Sequence, residues 1–341
     1  KKFKSKYALA VSSGTAALRV ALASLGIGKN DEVITQSFTF VATVEAIVES
    51  GAKPVCTEID NTLNMCPDDL LKKISKKTKA IILVHMLGSP GNISEVKKIC
   101  KRKNIYLIED TAWGIGGMYK KKFLGTIGDI GTFSFDFAKT ITTGEGGMLL
   151  FKKKQHFLKA KAWHDHGHEN NPKVPRWEDT RSKSGFNFRM SELQAAVGLA
   201  QLRKLEKIID GQRKSFENYT QLLDGIANLT PRASPKGSKE TCDAYVFFTS
   251  TPDQAIKCRR NLVDVGLSTK ILPEAYTWHF AGAWDHMPEL VASMGGELEK
   301  KFAQSKEWLS RAVALPVTTK VSEKQAELAA FTIREVLTTH A

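Results

Sequence analysis

Residues 134–147 read SFDFAKTITTGEGG, a strand-like alternation that carries one lysine, Lys139, to the edge of a glycine-rich turn. A lysine meant only for solvent needs no such setting, because its stem can cover apolar surface while the ammonium stays in water. An amine delivered there can instead attack a carbonyl carbon. Two other stretches offer matching chemistry. Ser13-Gly14-Thr15-Ala16 places a glycine, which permits close approach, at the first amides of a helix, a ready setting for a phosphate. Taken by itself this stretch reads first as a simple N-cap. Glu109-Asp110 ends the apolar run NIYLI, and a carboxylate at a strand's carboxyl end lies on the edge where open α/β sheets bind ligands. Alone, it could merely cap the next turn.

Three such groups act together only if a scaffold brings them to one edge. Ala17, Leu18, Ala21, Leu22 and Leu25 mark one face of a helix that begins near Gly14 and stops at Gly26 to Gly28. DEVITQ reads as a strand, FVATVEAIVES as a helix closed by Gly51, and KPVCTEI as the next strand. After a helix opened by Pro67 come AIILVHML, the helix SEVKKICKRK and the strand NIYLIED. GTFSFDF alternates like a strand, and MLLF continues the sheet beyond the glycine turn. Alternation of this kind builds a mostly parallel sheet covered by helices. From 152 to 188 the pattern dissolves into a polar loop containing HDHGHENNPKVPRWEDTRSKSG, whose tryptophans and prolines favour an ordered, functional segment. A long helical pattern from Ser191 to near Ile226 follows, then mixed α/β segments. The expected division is a large domain over 1–190, a long connecting helix over 191–226 and a smaller C-terminal α/β domain over 227–341.

The 341 residues, 42% of them hydrophobic, exceed what one core usually organises, which agrees with two domains. The net charge of +14 is spread over lysine clusters at 1–6, 72–79, 97–103, 120–122 and 152–161, without the aromatic interleaving that stacks bases. That argues for a solvated surface and against nucleic acid. Cys56, Cys66, Cys100, Cys242 and Cys258 form no CxxC pair, so neither a disulfide framework nor a cysteine-rich zinc site is expected, and the compartment reads as reducing and cytoplasmic. The opening KKFKSKYALAVSS imitates a secretory signal, but Ser12, Ser13, Gly14, Thr15 and Arg19 interrupt it, and a segment preceding Lys1 is expected. No other stretch has the roughly 18 apolar residues of a membrane span.

A phosphate cradle, a carboxylate and a lysine, in that order on one α/β domain, are what pyridoxal 5'-phosphate requires: an anchor for its phosphate, a partner for its ring nitrogen and an amine. The same stretches resemble the sugar aminotransferases of the DegT/DnrJ/EryC1/StrS family, a branch of the fold-type I pyridoxal-phosphate enzymes. The resemblance is carried by SSGTAAL, DEVITQSFTFVAT, GAKPV, KTKAIILVHMLG, LIEDTAWGIGG, GDIGTFSFDFAKTITTGEGGM, HDHG and GFNFRMSELQAAVGLAQLRKLEKI. The assembly of FSF, the lysine and GEGG is the most specific part.

The resemblance implies a fold-type I α/β architecture with the domain division above. It implies that Lys139 bonds the cofactor and shuttles a proton, and that Asp110 keeps the ring nitrogen protonated. Phe40 matches the aromatic that stacks on the ring; Gly14, Thr15 and Ser134 match phosphate contacts. Asn187 matches a residue reaching the phosphate from a neighbouring subunit, so a homodimer with shared sites is implied. Trp113 stands where relatives usually carry Gln or His near the phenolic oxygen, and its indole N–H can donate but not accept.

His164, His166 and His168, with Asp165 and Glu169, have no fixed common face, so no metal is expected. GIGG at 114–117 is no dinucleotide fingerprint, because Tyr119 takes the place of its third glycine. His166-Gly167 matches an HG pair of the family, and Lys173, Arg176, Arg181, Lys183 and Arg189 form a basic series that reads equally as an ordinary solvated stretch or as a means of capturing anionic substrates. His166, Arg181 and Arg189 are the candidate substrate contacts, while Glu145 is read as shaping the turn. The implied reaction moves an amino group from glutamate or glutamine to a keto-sugar, in ping-pong fashion, as in sugar biosynthesis for lipopolysaccharide. An 8-keto ulosonate is the expected acceptor, because FSFDFAKTITTGEGG with EDTAWG resembles that transaminase branch; a nucleotide-linked 3- or 4-keto hexose is the alternative. A sugar dehydratase of the same fold would carry histidine in place of Lys139, and a non-catalytic binding protein remains the other alternative.

Overall fold

The computed structural model describes residues 1–273 and 276–338. Its N-terminal half alternates strands and helices: β1 (Tyr7–Val11), α1 (Gly14–Leu25), β2 (Glu32–Gln36), α2 (Val41–Glu49), β3 (Lys53–Thr57), α3 (Pro67–Lys73), β4 (Thr78–Val84), α4 (Ile93–Lys103) and β5 (Tyr106–Asp110). Two short strands, β6 (Met118–Tyr119) and β7 (Lys122–Phe123), precede β8 (Ile130–Ser134), β9 (Gly147–Phe151) and α5 (Lys154–Trp163). The seven-stranded sheet has the order β1-β9-β8-β5-β4-β2-β3. Its pairings from β8 through to β3 are parallel, and β9 runs antiparallel to both β8 and β1. This is the fold-type I α/β architecture expected from the sequence.

Local chemistry explains why these elements start and stop where they do. The Ser13 hydroxyl accepts from the Ala16 N–H at 3.0 Å and caps α1, and Gly26 closes the helix at φ 74°, a left-handed conformation suited to glycine. Ala17, Leu18, Ala21 and Leu22 are buried, as their spacing predicts. Every residue of β2 and β8 is buried, which is what a strand covered on both faces requires.

The 32-residue α6 (Glu192–Leu223) opens with a capping box, in which the Ser191 hydroxyl accepts from the Gln194 N–H and the Gln194 side chain accepts from the Ser191 N–H. It leads to β10 (Leu229–Pro231), β11 (Ser238–Lys239), β12 (Ala244–Thr249), α7 (Pro252–Asp264), α8 (Tyr276–His279), α9 (Pro288–Met294), α10 (Ala303–Ser310), β13 (Ala312–Pro316) and α11 (Glu323–Thr338). Antiparallel β10-β12-β13 packs with α7 and α11 around Tyr219, Phe247, Leu262, Leu315 and Ile333. Phe280, Trp284, Phe302 and Leu309 belong instead to the core of the large sheet. The C-terminal part is thus anchored to the large domain beside the cavity described below.

Three local expectations change. The polar segment after 152 is not wholly loop, because α5 runs from Lys154 to Trp163 and packs on α1. It buries only His156, Ala160 and Ala162, and lysines interrupt its period, so the sequence pattern is weak. GTFSFDF leaves the sheet at Ser134, and AIILVHML leaves it at Val84, with a short helical turn over Met86–Gly88. Both strands end at the site edge.

Candidate active site

Val84, Asp110 and Ser134 are the last residues of β4, β5 and β8, and all three line one cavity of about 460 Å³. The cavity thus lies at the carboxyl edge of parallel strands, where helix starts and loops converge. The first turn of α1 supplies Gly14 and Thr15, and the start of α2 supplies Phe40 and Thr43. Trp113 and Lys139 complete the set, so seven of the eight cofactor positions expected from the sequence surround this cavity. Asn187 is the exception.

Asp110 is buried. Its Oδ1 accepts from the Ala112 N–H at 3.1 Å and its Oδ2 from the Thr43 hydroxyl at 3.1 Å, while Thr39 and Thr43 share a hydroxyl contact at 2.9 Å. Burial pushes the Asp110 carboxyl above its ordinary range, and these two hydrogen bonds and the Lys139 charge work against that. Adjacent Glu109 points to the opposite face of the strand, as period-two geometry demands. It accepts the backbone N–H groups of Gly125, Ile127 and Gly128 at 2.9, 2.6 and 2.6 Å. His85 Nδ1 accepts from the Gly91 N–H, which leaves Nε2 protonated toward Glu109 at 3.2 Å. Glu109 therefore fastens the loop before β8, and Asp110 is the one turned to the cavity.

Lys139 is placed by a turn. The Asp136 carboxylate accepts from the Ala138 N–H at 3.0 Å, and the Lys139 N–H donates to the Asp136 carbonyl at 3.1 Å. Phe135 exchanges backbone hydrogen bonds with Gly146 and Thr143, closing the glycine-rich loop behind it. The Lys139 Nζ rests 3.6 Å from the centroid of the Trp113 ring. Burial lowers its pKa from the ordinary lysine value; Asp110, Asp243 and Asp136 oppose the shift and Lys270 adds to it. An amine held in this way has a larger uncharged fraction near neutrality than a surface lysine.

Gly14 is demanded by crowding. A Cβ there would lie 2.8 Å from Ser134 Cβ and 2.9 Å from Ser134 Oγ, so only glycine lets the start of α1 meet the end of β8. The result is a pocket of helix-start amides beside two hydroxyls, Thr15 and Ser134, which suits an anion.

A family model described as the DegT/DnrJ/EryC1/StrS aminotransferase family matches residues 1–333. The chain belongs to this DegT/DnrJ/EryC1/StrS family. It is therefore a pyridoxal-phosphate-dependent sugar aminotransferase. The chain is 37% identical over 278 residues to the GDP-perosamine synthase of Escherichia coli O157:H7, covering 80% of this chain and 73% of that protein. It is 36% identical over 293 residues to the GDP-perosamine synthase of Vibrio cholerae, covering 85% and 77%. Among solved structures, an aminotransferase from Psychrobacter cryohalolentis superimposes with a TM-score of 0.87 at 26% identity, over 99% of this chain and 88% of that one.

As a member of the DegT/DnrJ/EryC1/StrS family the chain departs from its own expected site map in one region. Asn187, His166, Arg181 and Arg189 are exposed and do not line the cavity of their own chain. Arg189 and Arg176 both bind Asp165, and the Arg176 hydrogen bond, ahead of the others, holds that carboxyl well below the usual range. His168 contacts Asp179 at 3.2 Å, and the His164 ring meets the Lys161 carbonyl at 2.6 Å. Sequence reading did not find Trp278 and His279, which form part of the cavity wall, nor Thr43, Lys270 and Asp243. A Thr39/Thr43 pair four residues apart at a helix start was the only local signal among these.

Proposed function

We propose that this aminotransferase takes an amino group from glutamate or glutamine and gives it to a keto-sugar, with Lys139 and Asp110 as its catalytic residues. The observation that carries the reading is the convergence of Lys139, Asp110 and the Gly14–Thr15–Ser134 cradle on one cavity. The donor set fits the cofactor. The α1 start with Thr15 and Ser134 would hold the phosphate, Asp110 would face the ring nitrogen, and the Phe40 ring, 41% exposed on the cavity wall, would lie against the ring.

When bound, pyridoxal phosphate supplies an electron sink for the carbon that loses its proton. Asp110, kept in line by Thr43 and the Ala112 amide, holds a proton on the ring nitrogen through its charge. Lys139 would be the residue that holds the cofactor covalently, and its uncharged amine would carry the proton to and from the reacting carbon. Phe40, Trp113 and Trp278 wall the cavity and limit water around that amine.

The enzyme works as a homodimer, with Asn187 of one copy completing the other copy's phosphate site and His166, Arg181 and Arg189 reaching its substrate. Supporting this, the first turns of α6 expose Leu193, Val197 and Leu199, and a nearby apolar hollow is lined by Phe135, Ile141, Met148, Met190 and Leu202. The five cysteines, all unpaired, agree with a reducing cytoplasm.

The acceptor is an anionic keto-sugar. An 8-keto ulosonate such as 8-keto-3,8-dideoxy-manno-octulosonate is the first reading, from the likeness of 134–148 and 109–114 to that branch and from the basic series at 173–189. A nucleotide-linked 4-keto hexose is the second, favoured by the GDP-perosamine synthases among the relatives. A mass-spectrometric screen decides: enzyme preloaded with amine from glutamate is offered the ulosonate, GDP- and dTDP-linked keto-hexoses and a neutral keto-cyclitol. Amination of the ulosonate alone is expected. Preference for a nucleotide sugar establishes the second reading, and preference for the cyclitol overturns both.

A further inference from the structure

The Trp113 ring meets two lysines. Lys139 Nζ lies 3.6 Å from its centroid and Lys270 Nζ 5.2 Å. The two nitrogens are therefore within about 9 Å of each other, close to the screening length in physiological salt, and screening is weaker where groups are partly buried. Lys270 is firmly held. Its Nζ makes an ion-pair contact with Asp243 Oδ2 at 2.7 Å and donates to the Asp243 carbonyl at 3.3 Å, while its backbone N–H donates to Ala314 at 2.7 Å. Asp243 is itself buried, and the Thr241 hydroxyl donates to the Trp113 carbonyl at 3.2 Å.

We propose that Trp113 and Lys270 are positioning residues for Lys139: the indole face holds the amine at the cavity wall whenever it is not bonded to the cofactor, and the Lys270 ammonium, anchored by Asp243, keeps that amine uncharged enough to react. The proposal rests on Lys139 as the cofactor-bonding amine. Its logic is a balance of opposed charges. The indole face favours an ammonium. So do the three carboxylates that face Lys139, Asp110 at the end of β5, Asp136 in its own turn and Asp243 ahead of β12. Glu145 and His279 line the same cavity. The indole face and the three carboxylates all favour the charged amine, and a charged amine can neither bond a carbonyl nor accept a proton. Burial is the largest force against them, and Lys270 is the cation that adds to it.

The test reads Lys139 directly. The full chain, freed of cofactor, is pulse-labelled with acetic anhydride across pH, and mass spectrometry follows acetylation of Lys139 against exposed Lys121. Lys270→Met should move the Lys139 midpoint to higher pH, lowering its labelling near neutrality by about threefold or more. Lys270→Arg, which keeps the charge, should leave the midpoint in place. Asp243→Asn and Trp113→Leu should each lower it, whereas loss of fold would raise it in every variant. An unmoved midpoint in Lys270→Met or Trp113→Leu overturns the proposal, as does a shift in Lys270→Arg equal to that in Lys270→Met. Cofactor bonded to some other lysine would refute the Lys139 assignment instead, and borohydride trapping reads that separately.

Discussion

Replacing Asp110 by Asn separates what this carboxylate does for catalysis from what it does for the fold. The side chain is 5% exposed, so its charge acts through little water. A carboxylate beside a cation in such a site shifts the partner's pKa by about 1 to 3 units, and each unit is about 1.4 kcal/mol. Loss of the charge should therefore lower kcat by roughly 10- to 1000-fold, toward the upper end for so buried a pair. Stability should respond in the opposite sense. Without cofactor, burial raises the Asp110 pKa, so folding opposes its ionisation. A raised carboxyl pKa gives stability that is present below the unfolded value of about 4 and lost as pH rises through the folded value. Asn keeps the geometry, since its carbonyl can accept from Ala112 and the Thr43 hydroxyl can turn to accept from its amide. The cofactor-free variant should melt no lower than the parent near pH 8, with any advantage shrinking toward about pH 4. Steady-state kinetics and thermal melts across pH check both arms. A variant within about threefold of parental kcat, or one that melts well below the parent at pH 8 without cofactor, would refute the reasoning.

Gly14→Ala should weaken cofactor binding by tenfold or more in a fluorescence titration, about 1.4 kcal/mol, because the new Cβ drives into Ser134; unchanged affinity would remove the cradle from the account. Asp165→Asn should destabilise by about 1 kcal/mol near neutrality, since its arginine partners are half exposed, and the difference should start to shrink as pH falls below the unfolded carboxyl value of about 4 and close only as pH falls through the depressed folded value; melts that differ equally at all pH values would contradict this. Mixed dimers of Asn187→Ala and Lys139→Ala subunits should regain activity, because one of their two sites carries neither lesion; inactive dimers, once shown to form, would argue against shared sites.

Much of this site was legible because its signals are local. Lys139 stands out against a strand-like run and a glycine turn, Gly14 against a helix start, and Asp110 against an apolar strand. Strand alternation could also have separated Asp110 from Glu109, since neighbours on a strand face opposite sides, yet nothing local shows that Glu109 collects three amides from the loop before β8. Lys270, Asp243, Trp278 and His279 were invisible because they reach the cavity through tertiary packing: Phe280 and Trp284 bury into the core of the large sheet, and the His279 carbonyl accepts from the Thr39 N–H. Helix α5 escaped notice for a different reason. Its buried side, His156, Ala160 and Ala162, is small and broken by lysines, so packing on α1 rather than amphipathic pattern fixes it.

The central claim is that Lys139 is the amine that bonds pyridoxal phosphate. Borohydride reduction of the cofactor-loaded enzyme, followed by proteolysis and tandem mass spectrometry, tests it most directly. A single phosphopyridoxyl group on Lys139, absent after Lys139→Ala, is the expected result. The group found on Lys270 or any other lysine, or retained at full stoichiometry in Lys139→Ala, would contradict it.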